Sequence, residues 1–66
     1  MHITVNGRTQ DIEPGRTLHG LLLSMNLDPS VVVAELNQDI VPGEKFVSTS
    51  LSAGDRLELL SFVGGG

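Results

Sequence analysis

A chain of 66 residues allows one modest core and one domain. With 39% apolar residues, 18% charged ones and a net charge of −4, it has the balance of a folded domain and the wrong sign for neutralising nucleic-acid phosphates. The absence of cysteine excludes a disulfide framework, a thiolate nucleophile and a cysteine metal site.

Met1-His2-Ile3-Thr4-Val5 alternates apolar with polar residues and has neither a basic nor an apolar leader, so a soluble, cytoplasmic protein is expected. Asn6-Gly7 follows, a dipeptide that tolerates the positive φ of a tight hairpin, and predicts a second strand over 9–13. Pro14-Gly15 breaks the sheet, and Thr17 can cap a helix with its hydroxyl. Leu18, Leu21, Leu22 and Met25 repeat at the spacing of one helical face, and Asn26 suits a left-handed stop.

Asp28-Pro29-Ser30 reads as a loop, 31–36 as a β-branched strand, and Asn37-Gln38-Asp39 as a turn toward a short strand at 40–41. After Pro42-Gly43, the residues Phe46, Val47 and Leu51 are expected as inward anchors. Ala53-Gly54-Asp55 then turns the chain into a last strand over 56–63. The order predicts an α+β domain over 1–63, with one helix across a small mixed sheet, and a glycine tail over 64–66. Its expected core includes Ile3, Val5, Leu18, Leu22, Leu57 and Leu59.

The tail is the feature with chemical content. Gly64-Gly65-Gly66 has no side chains and wide backbone freedom. It could thread a narrow channel and present the Gly66 carboxylate to another active site, with nothing shielding the carbonyl carbon. A free carboxylate is a poor electrophile, so a partner would have to join it to the α-phosphate of ATP before a sulfur nucleophile could attack. By composition alone, the same glycines suit a frayed terminus.

Strand phase adds a second candidate. In the last strand Leu57, Leu59 and Ser61 face one way, and Arg56, Glu58, Leu60 and Phe62 the other. The charged pair marks the second set as outward, which leaves Leu60 and Phe62 exposed beside the tail. Val31 and Val33 share the outward phase of Glu35. Leu60, Phe62 and Val33 are therefore candidate docking residues. The alternative is that Phe62 folds over the sheet edge, or that a bulge reverses the phase.

The other polar residues read more plainly. His2 and His19 lack neighbours at metal-ligand spacing, and no metal site is expected. Ser48, Thr49, Ser50 and Ser52 form a polar loop, and the eight carboxylates are scattered, with no acid/base pair singled out. An autonomous enzyme is not expected.

The whole chain resembles the ThiS family of sulfur carriers for thiamin thiazole biosynthesis. The likeness is carried by Asn6-Gly7, by Gly15-x-Thr17-Leu18, by Leu36-Asn37 before Ile40-Val41-Pro42, by Gly54-Asp55-Arg56-Leu57-Glu58, and above all by Phe62-Val63-Gly64-Gly65-Gly66. The resemblance implies a ubiquitin-like β-grasp fold and adenylation of Gly66 by a ThiF-type adenylyltransferase. It further implies conversion to a thiocarboxylate and sulfur delivery to thiazole synthase. It implies no bound cofactor; ATP and a sulfur-donor enzyme would act through the partner.

Carriers for molybdopterin and cysteine synthesis share the double-glycine end. The Phe62-Val63-Gly64 context favours the thiamin carrier. A protein modifier that forms isopeptide bonds is the rival of another class, and Lys45, the sole lysine, leaves it little scope to form chains of itself.

Overall fold

The computed structural model describes residues 1–62. Strands β1 (His2–Val5) and β2 (Arg8–Asp11) form an antiparallel hairpin in register from Val5↔Arg8 to His2↔Asp11. Asn6 and Gly7 turn it at φ +49° and +81°, the two successive positive angles that match the twist of paired strands. β2 starts and stops earlier than the 9–13 expected, because its ladder is only as long as β1.

Helix α1 (Leu18–Ser24) starts where Thr17 Oγ1 accepts a hydrogen bond from the Gly20 N–H at 3.1 Å. Seven residues are too few to hold a helix in water unaided, so its stability comes from burying Leu18, Leu21 and Leu22. Met25 caps it from a partly buried position, and Asn26 ends it at φ +60°.

Asp28 caps a short 3-10 turn, Pro29–Val31, that leads into β3 (Val32–Leu36). Asn37 and Gln38, at φ +50° and +73°, then turn the chain into β4 (Asp39–Val41). A longer 3-10 segment, Gly43–Ser48, brings Phe46 under α1. Beyond it, the Leu18 N–H donates to the Thr49 carbonyl at 2.8 Å and the Leu51 N–H to that of Arg16 at 3.0 Å. These bonds tie this connection to the helix start and seat Leu51 in the core.

The last strand is β5 (Arg56–Ser61), and the sheet order is β2-β1-β5-β3-β4. β5 runs parallel to β1 and antiparallel to β3, so the sheet is mixed, with the helix on one face: the β-grasp arrangement. The core holds Ile3, Val5, Leu18, Leu21, Leu22, Val32, Ala34, Phe46, Leu51 and Leu57.

Two expectations change here. Val47, expected as an inward anchor, is exposed, because the 3-10 segment turns Phe46 inward and the next residue away. Leu59 is only partly buried and Ser61 exposed, although both share the inward phase of Leu57. β1 pairs with β5 only at Thr4↔Arg56 and Val5↔Leu57, so the later half of β5 has a strand on the β3 side alone. Val63, expected in this strand, lies outside the described residues.

Candidate functional site

The face of the sheet away from α1 is set by register. Val33 lies opposite Leu60, and Glu35 lies opposite Glu58 on one side and Ile40 on the other. Alternation sends all of these side chains to the same face. Phe62 extends the row, held by its N–H donating to the Val31 carbonyl at 2.7 Å. Exposures of 60% for Leu60, 55% for Phe62 and 42% for Val33 show that the outward phase persists to the end of β5. No bulge reverses it, and Phe62 does not fold into the core.

These side chains border a shallow groove of about 290 Å³ lined by Val33, Glu35, Ile40, Glu58, Leu59 and Leu60. Ile40 is 62% exposed and belongs to the patch, although strand phase in a three-residue strand gave no means of placing it there. Glu35 and Glu58, scattered surface carboxylates in the sequence, become direct neighbours. Only the β3–β5 register could have shown that.

Two asparagines fasten β5 to the hairpin turns. Asn6 Oδ1 accepts from the Leu59 N–H at 2.7 Å, and Asn37 Oδ1 accepts from the Arg56 N–H at 2.9 Å. Asn37 Nδ2 also donates to Asp55 Oδ1 at 3.0 Å, and Asp55 Oδ2 accepts from the Ser52 N–H at 2.7 Å. β5 is thus anchored at its start and again at Leu59. Gly64, Gly65 and Gly66 lie outside the described residues.

The remaining polar candidates are structural in placement. His2 sits 3.9 Å from Asp11, whose carboxyl is held below its usual pKa first by a hydrogen bond from the N-terminal ammonium. Thr49 Oγ1 donates to the Lys45 carbonyl at 2.7 Å. Among the described residues no three metal-ligating side chains converge, and no helix is long and apolar enough to cross a membrane.

Residues 3–66 match the family model described as ThiS family. The chain belongs to the ThiS family. Its fold superposes on the crystal structure of the thiamine biosynthesis protein ThiS from Geobacter metallireducens with a TM-score of 0.84 and 32% identity, covering 100% of both chains. It is 36% identical over 50 residues to the sulfur carrier protein ThiS of Bacillus subtilis, 76% of each chain. It is also 32% identical over all 66 residues to a thiazole synthase of Paramagnetospirillum magneticum, of which the match covers 20%. The chain therefore spans about a fifth of the length of the curated thiazole synthases it matches. The family match extends over both the described fold and the closing glycines.

Proposed function

We propose that this chain is a sulfur carrier of thiamin biosynthesis whose reactive group is the carboxylate of Gly66. The observation that carries the reading is the family match through residue 66, on a fold that superposes end to end on a ThiS structure. A ThiF-type adenylyltransferase joins a Gly66 carboxylate oxygen to the α-phosphate of ATP, releasing pyrophosphate. A sulfur nucleophile of hydrosulfide oxidation level, supplied by a sulfur-donor enzyme, then attacks the carbonyl carbon and AMP leaves. The thiocarboxylate so formed carries one sulfur in place of one oxygen. Thiazole synthase receives that sulfur.

In this scheme the chain is a co-substrate and its partners are the catalysts. Gly64 and Gly65 form the slender stem, while Leu60, Phe62 and Val33 give the activating enzyme something to hold. Docking against the anchored end of β5 makes placement of the carboxyl nearly intramolecular, where correct positioning contributes most. The recipient is supported by the match to chains named thiazole synthase, in which a ThiS-like stretch is part of a longer protein.

Incubation with the adenylyltransferase of the same organism, ATP and a sulfur donor, followed by intact mass, tests the scheme. Replacement of one oxygen by sulfur at the C-terminus is expected. An unchanged mass with ATP consumption no higher than without the chain would overturn it.

A further inference from the structure

Glu35 and Glu58 stand directly opposite one another on β3 and β5, in the middle of the groove bordered by Val33, Ile40 and Leu60. Side chains so placed are about 4.5–5.5 Å apart at Cβ, a spacing at which like charges destabilise a sheet. Neither carboxylate has an ion-pair partner among the described residues, and Glu35 is half-buried. Arg56 shares the outward phase of Glu58 but makes no ion pair with either carboxylate, so the two stand unpaired side by side within an apolar rim.

The geometry points to a specific occupant: a basic side chain of the activating enzyme, preferably an arginine, bridging Glu35 and Glu58 while apolar side chains cover Leu60, Val33 and Ile40. This deepens the sulfur-carrier reading and rests on it. A planar guanidinium can donate to both carboxylates at once, and the apolar rim excludes water around the contact. A second copy of this chain does not fit, since it would bring two more carboxylates and a net charge of −4 against the same face.

The activating enzyme fits for a chemical reason. Four residues separate Phe62 from the reacting carboxyl, a reach of at most about 14 Å. Glu58 lies four residues before Phe62, so while the carboxyl sits in the ATP site the groove stays within about 29 Å of it and faces the surface of the same enzyme. The pair then costs fold stability and contributes recognition, two effects of opposite sign that can be read separately.

Glu35→Gln, Glu58→Gln and the double variant are compared with Glu13→Gln and Glu44→Gln, which make the same charge change at exposed positions off this face. The readouts are thermal midpoint and steady-state adenylation by the native adenylyltransferase, followed as chain-dependent ATP–pyrophosphate exchange at low and high salt. Each groove variant should raise KM for the chain about tenfold with little change in kcat, and reduce its salt dependence. Each should also raise the thermal midpoint by about 2–4 °C. If wild type supports exchange and the groove variants match the controls in KM, the bridging contact is wrong while the carrier reading stands. A fall in thermal midpoint would show instead that the pair is structural, and would also overturn the proposal. If wild type supports no exchange, the carrier reading fails and takes this contact with it.

Discussion

Asn6 and Leu59 are joined by two hydrogen bonds: the Leu59 N–H donates to Asn6 Oδ1 at 2.7 Å, and Asn6 Nδ2 donates to the Leu59 carbonyl at 3.2 Å. One side-chain amide thus does for β5 what the next peptide of β1 would have done, after the hairpin has turned that strand away. Asn6→Gly keeps a residue that accepts φ +49° and removes only the amide. It should cost about 1–2 kcal/mol in urea unfolding, and amide exchange at Leu59 should quicken more than at Leu57.

The turn between β3 and β4 shows the opposite situation. Gln38 holds φ +73° without the freedom of glycine or the local bonding of asparagine. Gln38→Gly should stabilise the domain by about 0.5–1 kcal/mol, relief of the left-handed strain exceeding the added freedom of the unfolded chain. A lowered denaturation midpoint would mean that Gln38 contributes a contact that outweighs its backbone angle.

On the outward face, Leu60→Ser and Phe62→Ser remove apolar surface that the fold leaves in water. Stability should change by no more than about 0.5 kcal/mol, while affinity for the adenylyltransferase should fall about tenfold or more by calorimetric titration. Unchanged affinity with a collapsed thermal midpoint would move both residues from the docking face to the core.

At the tail, deleting Gly66 leaves a chain that still ends in glycine and a carboxylate, so only reach is altered. Thiocarboxylate formation should fall about a hundredfold, because the electrophile no longer arrives within attacking distance. Gly65→Val should slow it as well, since a β-branched residue restricts the backbone and thickens the stem. Both chains should melt as wild type does. Wild-type rates of sulfur gain by the Gly66-deleted chain, measured by intact mass, would remove Gly66 from its assigned role.

Asp28 gives an acid-side test. Its carboxylate accepts from Ser30 Oγ at 2.7 Å and from the Ser30 N–H at 2.9 Å, and these bonds hold its pKa below the usual carboxylate value. Because the folded pKa is depressed, the contribution is complete above the unfolded value and disappears as pH falls through the folded one. Asp28→Asn should lower stability slightly at pH 7, converge on wild type in acid and so flatten the loss below about pH 4, in denaturant titrations across that range. An unchanged acid slope would show that the cap does not discriminate between charged and neutral Asp28.

Local patterns in the chain were sufficient for the hairpin at Asn6-Gly7, the Thr17 cap, the face of Leu18, Leu21 and Leu22, and the outward phase of Leu60 and Phe62. Each depends on covalent neighbours a few residues apart: a positive φ, a hydroxyl in reach of an N–H, a period of 3.6 or of 2. The family motifs pointed to the ThiS family for the same reason, being contiguous in the chain. Tertiary structure decided what depends on residues distant in sequence. Val47 is outward because a 3-10 segment turns Phe46 under α1, and Leu59 is half-covered because β1 stops pairing at Leu57. The meeting of Glu35 with Glu58, and of Ile40 with that pair, exists only through the register of β3 against β5 and β4. Register is set by how the buried face packs, and a shift of one residue would turn every one of these side chains to the other side of the sheet.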